Sequence, residues 1–205
     1  MLPLPKVAII DYGLGNLRSI QRGLETAGAS AIITHREDEI CGADALVLPG
    51  VGAFKDAIEN FKPLSQVVLN QIKSGKPLLG VCLGLQLLFT ESSEGGIQRG
   101  IDVFRGKVVR LPSLKVPHIG WNTLKILKPD NLLFKGVPDN SFVYFVHSYY
   151  GDAEDSDDVV TTTEYGINFP STVSRSNVFA TQFHPEKSGH TGLCILKNFI
   201  NYVKA

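Results

Sequence analysis

Between Val7 and Val81, short apolar runs alternate with stretches whose apolar residues recur every three or four positions. That alternation admits few architectures other than a parallel sheet covered by helices on both faces. Val7–Asp11 reads as the first strand. After Asp11-Tyr-Gly-Leu-Gly-Asn16, the residues Leu17, Ile20, Leu24 and Ala27 share one helical face, and Gly28 is placed to stop that helix. Ala31–Thr34, Ala45–Leu48 and Pro77–Val81 read as further buried strands, and Leu64–Lys73 reads as a helix ended by Gly75. From Gly106 onward the period shifts toward two. Lys107–Leu111, Thr123–Leu127, Phe142–Ser148, Val159–Glu164, Thr172–Ser174 and Val178–Phe183 are expected as strands, largely antiparallel, before a closing helix over Gly192–Lys204. The acidic stretch Gly151–Asp158 reads as a solvated surface loop.

Composition narrows the function classes. With 205 residues, 43% of them apolar, the chain is expected to form one compact domain over residues 1–205. Twenty basic and 20 acidic residues cancel to a net charge of +0, which leaves no electrostatic footprint for nucleic acid. The longest apolar runs are interrupted by glycine and too short to span a bilayer, and the first residues have neither a basic and apolar leader nor transit-peptide character, so a cytoplasmic location is expected. Cys41, Cys82 and Cys194 are odd in number and lack CxxC spacing, against both a disulfide framework and a structural zinc site. His35, His118, His147, His184 and His190 show no ligand spacing either, so neither a metal nor a cofactor is expected.

The chemistry-bearing segment is Gly80-Val-Cys-Leu-Gly84, at the end of an apolar strand and at the start of a helix opening with Leu85-Gln-Leu-Leu-Phe89. Flanking glycines permit the sharp strand-to-helix turn of a nucleophile elbow, which would lift Cys82 out of the packed layer toward helix N–H groups that favour negative charge. Taken alone, the pattern equally fits a small buried thiol. Phe183-His-Pro-Glu186 supplies the one tight histidine–carboxylate pair, and Pro185 biases His184 toward extended geometry so that Glu186 can orient its imidazole. An HxE pair beside a proline is otherwise an ordinary turn; with the elbow it becomes a Cys82–His184–Glu186 triad. Pro49-Gly-Val-Gly52 ends another buried strand, and the N–H groups of Val51, Gly52 and Leu83 are candidates for an oxyanion hole. An ordinary strand-to-helix turn is the alternative there, while a phosphate cradle fits poorly because no G-x-x-x-x-G-K-[ST] occurs.

Val47-Leu-Pro-Gly-Val-Gly-Ala-Phe54, Gly80-Val-Cys-Leu-Gly-Leu-Gln-Leu-Leu-Phe89 and Gln182-Phe-His-Pro-Glu-Lys-Ser188 together resemble the class I, or triad, glutamine amidotransferases over nearly the whole chain. The resemblance implies an α/β fold of flavodoxin-like type: a central, mostly parallel sheet flanked by helices, with an antiparallel β extension. It also implies hydrolysis of L-glutamine to glutamate and ammonia through a thioester on Cys82, with Gly50, Gln86, Ser148 and Tyr149 holding the substrate. Asp11-Tyr-Gly-Leu-Gly-Asn16, Pro117-His-Ile-Gly-Trp-Asn122 and Tyr144-Phe-Val-His-Ser-Tyr149 further resemble the glutaminase-subunit family of imidazole glycerol phosphate synthases. That implies a heterodimer with a (β/α)8-barrel cyclase subunit that receives the ammonia during histidine biosynthesis, because the chain leaves no room for a fused synthase domain. It moves Trp121 from an expected core position toward the partner face, with Asn16, His118 and Asn122 as further interface candidates. His147, ending an apolar strand, is read as structural, and Cys41 and Cys194 as ordinary thiols. The competing readings are a glutaminase subunit of another synthase, such as pyridoxal phosphate synthase, a stand-alone cysteine hydrolase, and a non-catalytic flavodoxin-like binding module.

Overall fold

The computed structural model of the chain describes residues 3–112 and 115–204. Strand β1 (Lys6–Ile10) leads through the loop ending at Asn16 into α1 (Leu17–Thr26), which buries Ile20 and Leu24; Gly28 then takes φ +97° and turns the chain. Strand β2 (Ser30–Thr34) is followed by α2 (Glu37–Gly42), a helix with a single buried residue, Ile40, and so almost without hydrophobic periodicity. Three acids in its first turn favour it electrostatically. Strand β3 (Ala45–Leu48), wholly buried, precedes α3 (Phe54–Lys73). This helix begins ten residues before the expected Leu64 and runs straight through Pro63. Pro63 lies on the exposed face, where water can satisfy the carbonyl it strands, while Phe54, Ala57, Phe61, Leu64, Val68 and Ile72 form the buried stripe.

Next come β4 (Leu78–Val81) and the five-residue α4 (Leu83–Leu87). The helix expected to begin at Leu85 therefore starts two residues earlier, at Leu83, and Phe89 already belongs to β5 (Phe89–Ser92). The remaining strands are β6 (Gln98–Arg99), β7 (Phe104–Arg110), β8 (His118–Thr123), β9 (Lys125–Ile126), β10 (Phe142–His147), β11 (Tyr149–Ala153), β12 (Val159–Glu164), β13 (Asn168–Arg175) and β14 (Val178–Thr181), and α5 (Gly189–Val203) closes the fold. The expected strand Thr123–Leu127 is thus split between the end of β8 and β9, with Leu124 buried between them.

The main sheet runs β2-β1-β3-β4-β14-β13-β12-β9. From β2 to β14 every pairing is parallel, and from β14 to β9 every pairing is antiparallel. Alternate residues of β1 feed two cores: Val7 and Ile9 pack with α1 and α5 residues, whereas Ala8 and Ile10 pack with α2 and α3 residues. A four-stranded sheet, β11-β7-β5-β6, and the β10-β8 ribbon complete the extension.

The acidic stretch 151–158 departs from the expected surface loop. Its first part is β11, and Asp158 is only 3% exposed. Arg175 on β13 explains the burial: its Nε and Nη2 donate to the two Asp158 carboxylate oxygens at 2.8 and 2.6 Å, a fork-to-fork pair.

Candidate active site

In open α/β sheets ligands bind beyond the carboxyl ends of the strands, and four segments meet there. Asp11–Tyr12 follows β1, Pro49–Gly52 follows β3, Cys82 follows β4, and Gln182–His184 follows β14. Cys82 adopts φ 54° and ψ −107°, a positive-φ conformation forced on a non-glycine residue at the strand-to-helix elbow. The neighbouring glycines are required by contact: a Cβ at Gly84 would overlap the Leu48 carbonyl oxygen, and one at Gly50 would overlap the Tyr12 hydroxyl. Tyr12 donates to the Pro49 carbonyl at 2.6 Å and so pins the β3 turn against β1. Burial, reinforced by negative charge on Cys82, pushes its hydroxyl pKa upward.

The side chains of His184 and Glu186 are each 2% exposed, and His184 Nδ1 lies 2.7 Å from Glu186 Oε1. His184 Nε2 is buried without a hydrogen-bond partner, so this ring nitrogen is left free for the chemistry. Burial opposes the imidazolium, but hydrogen bonding and negative charge from Cys82 and Glu186 outweigh it and push the His184 pKa up to about 10. The second Glu186 oxygen is also buried without a partner. Cys82 itself is held by Gln182 Nε2 at 3.7 Å and lies 3.8 Å from the Val146 carbonyl.

A cavity of about 380 Å³ opens over Cys82, and Val51, Gly52, Leu83, Gln86, Ser148 and Tyr149 line it together with His147, Glu94 and Lys187. Gly50 lies beneath this lining, packed against Tyr12 and Leu83. In this conformation the Leu83 N–H points at the Gly50 carbonyl, 3.4 Å away, so one of the three expected oxyanion donors is engaged within the protein. Gly52 sits at φ +111° with open space around its Cα.

Three of the four interface candidates share β8, and Asn16 lies in a separate depression. Trp121 is 56% exposed on β8 beside Ile119 at 60%, which overturns the core position its residue type suggested. Asn122 is partly buried, His118 is buried behind the same strand, and Asn16 directly precedes α1, beside Asp11 and Arg18. Sequence reasoning passed over Gln182 and Lys187. Gln182 directly precedes Phe183-His184, and that adjacency is its available signal.

His147, read as structural, lines the cavity yet is tied at both ring nitrogens, to the Tyr149 carbonyl and to His118. Burial pushes the pKa of His118 from 6.5 down to about 4. It pushes that of His147 to about 3, aided by the charges of His118 and His184 and against the Tyr149 bond. Both groups therefore take up protons in the unfolded chain before the folded one. Their stabilisation is complete above pH 6.5 and is lost as the pH falls through about 4 and then 3. Urea midpoints should fall over that window, and His118→Phe should make the fall shallower; an unchanged slope would mean that His118 is not buried neutral.

Among the described residues, no three His, Cys, Asp or Glu side chains are grouped to hold a metal, and no helix is long and apolar enough to cross a membrane. The family model for glutamine amidotransferase class-I matches residues 8–202. The chain is 52% identical over 202 residues to the imidazole glycerol phosphate synthase subunit HisH of Methanosarcina barkeri, covering 97% of this chain and 99% of the relative. The corresponding subunit of Archaeoglobus fulgidus is 52% identical over 200 residues, with 97% and 99% covered. Among solved structures, PurLQS from Thermotoga maritima superposes with a TM-score of 0.79 at 18% identity, covering 98% of this chain and 99% of that one, a likeness of fold. A match to one family model across nearly the whole chain has one consequence: the chain belongs to the class-I glutamine amidotransferases.

Proposed function

We infer that the chain is the glutaminase subunit of an imidazole glycerol phosphate synthase: it hydrolyses L-glutamine and passes the ammonia to a (β/α)8-barrel cyclase subunit in a cytoplasmic heterodimer. One observation carries the chemistry: a positive-φ cysteine at the floor of a cavity, backed by a fully buried histidine–carboxylate pair. Near-full-length identity of about half to HisH subunits supports the assignment within the family.

In this mechanism the Cys82 sulfur adds to the side-chain amide carbon of glutamine, and the amide oxygen becomes an oxyanion. The tetrahedral adduct collapses, the C–N bond breaks, and His184 delivers its Nε2 proton to the departing nitrogen, releasing ammonia and leaving a γ-glutamyl thioester. Water, deprotonated by the same imidazole, then attacks the thioester carbon, and the C–S bond breaks to give glutamate and the free thiolate. Glu186 holds His184 in the orientation and charge state this needs. Gln86, Ser148 and Tyr149 grip the amino-acid end of the substrate, and Gly50 keeps the floor narrow enough for Leu83 to approach. No cofactor takes part.

The oxyanion donors require a rearrangement, because the Leu83 N–H faces the Gly50 carbonyl. Gly52 supplies the freedom: at φ +111° an alanine is strained by about 1–3 kcal/mol although nothing blocks its methyl group. Gly52→Ala should lower glutamine turnover about tenfold or more, measured in the complex with the cyclase, and should cost the fold no more than that strain. Full activity would remove any need for glycine there.

The assignment as a whole is tested by glutamate release from glutamine, with the chain alone and then with the barrel cyclase and its ribonucleotide ligand. Strong stimulation in the complete mixture is the expected result. Equal turnover with and without the cyclase would keep the nucleophile but point to another partner. The exposed Ile119 and Trp121 on β8 favour that strand as part of the partner face, as does Asn122 beside them, whereas Asn16 belongs to it only if the partner also reaches the mouth of α1.

A further inference from the structure

Behind the cavity wall the hydrogen bonds permit only one assignment of protons. The Tyr149 carbonyl can only accept, so His147 Nδ1, 2.9 Å away, carries a proton. Burial keeps this imidazole neutral, so its Nε2 is an acceptor, and His118 Nδ1 at 3.0 Å must donate to it. His118 is likewise neutral, which leaves its Nε2 to accept from Asn122 Nδ2 at 3.3 Å. The Asn122 amide is itself oriented by backbone at both ends: its Nδ2 donates to the Glu164 carbonyl at 2.9 Å and its Oδ1 accepts from the Thr123 N–H at 2.8 Å. His118 is further fixed by stacking on Phe145 and Tyr165, with ring centroids 4.7 and 4.0 Å away.

The same Tyr149 carbonyl accepts from Gln86 Nε2 at 2.8 Å, and that nitrogen also donates to Gln182 Oε1 at 3.3 Å. Both amide hydrogens of Gln86 are thereby used inside the protein. Only its Oε1 remains to meet a ligand, and an acceptor oxygen suits an ammonium group. Gln182, its oxygen occupied, turns its Nε2 to the sulfur of Cys82.

We propose that His118 and His147 are positioning residues: a pair of neutral imidazoles with a fixed direction of proton donation sets the Tyr149 carbonyl, and through it the amide of Gln86, so that Gln86 Oε1 selects the α-ammonium group of the substrate. The proposal rests on the reading of the cavity as a glutamine site. It assigns His147 a role in substrate recognition that neither its burial nor its strand position indicates, and it makes β8 a support of the cavity as well as a surface.

Two probes of Cys82 separate recognition from reactivity. A diazo-ketone analogue of glutamine needs the amino-acid cradle, whereas iodoacetamide needs only the thiol; labelling at the Cys82 peptide is followed by mass spectrometry in the full-length chain. His147→Phe and His118→Phe should slow the analogue about five- to tenfold, the worth of one net hydrogen bond, and leave iodoacetamide labelling within about twofold. His147→Asn, whose Nδ2 takes the place of the ring Nδ1, should recover most of the loss. Unchanged analogue labelling in His147→Phe, an equal slowing of both probes, or an asparagine variant no better than phenylalanine would each overturn the proposal. Imidazole ¹⁵N spectra of the unmutated chain test it without any variant: both rings should be neutral and protonated at Nδ1 near pH 7, and an Nε2-protonated His147 would overturn it. A chain labelled by iodoacetamide but not by the analogue would instead sink the glutamine reading, with the tautomers still decided by the spectra.

Discussion

Cys82→Ala should abolish glutamine hydrolysis, lowering kcat by about 10⁴-fold or more, in a protein that remains folded. The substitution removes only a sulfur from a side chain 6% exposed, and alanine suffers no more at φ 54° than cysteine does. Without the sulfur no thioester can form, and a water attacking the amide directly would face an unactivated leaving group. His184 would lose the partner that helps to keep it protonated, so the remaining acid–base machinery would be compromised as well. Glutamate release in the complex with the cyclase is the measurement, with the melting temperature as the control. Turnover above roughly 1% of wild type would be incompatible with obligatory covalent catalysis.

The second large effect concerns the floor on which the nucleophile stands. Gly84→Ala should destabilise the chain by about 3 kcal/mol or more, because the new methyl group would occupy the position of the Leu48 carbonyl oxygen. That oxygen belongs to β3, and every residue of β3 and α4 is buried, so neither element can withdraw into solvent. Relief would require α4 to move off the sheet, dragging Cys82 with it, and activity should fall along with stability. Gly42→Ala is the comparison: with nothing within 4 Å of the added methyl, it should change stability by no more than about 0.5 kcal/mol, or raise it slightly. Equal urea midpoints for the two variants would mean that β3 and α4 are not packed backbone to backbone.

The parallel half of the fold was legible because β3 and β4 are buried at every position and β1 at all but Lys6; β3 was read to the residue and β4 to within one. The cysteine and the histidine–carboxylate pair were legible as local motifs. Strand β8 was not. It buries His118 and exposes Ile119 and Trp121, an inversion of the polarity that periodicity depends on. Exposed apolar residues beside a buried histidine are locally indistinguishable from an error in the pattern. Asp158 was misread for a different reason: its burial depends on Arg175, whose contribution arises only when two strands pair. The roles of Gln86 and His147 depend on a single backbone carbonyl that both approach, and no spacing in the chain announces such a meeting.

The parallel pairing of β4 with β14 has a consequence for how the protein comes into being. Gln182 and Cys82 are 100 residues apart along the chain, and the whole antiparallel extension lies between the strands that carry them. At a translation rate of about 5–20 residues per second, the thiol leaves the ribosome roughly 5–20 s before the imidazole that activates it. The growing chain can assemble β1 to β4 meanwhile, but the last inner strand of the parallel sheet is missing, and loop closure over that distance is slow. A nascent or prematurely terminated chain is therefore chemically silent toward the amino-acid pool around it. Hydrolytic capacity cannot arise until β14 and the segment after it have been made, so the fold sets the earliest moment at which the cell is exposed to the enzyme.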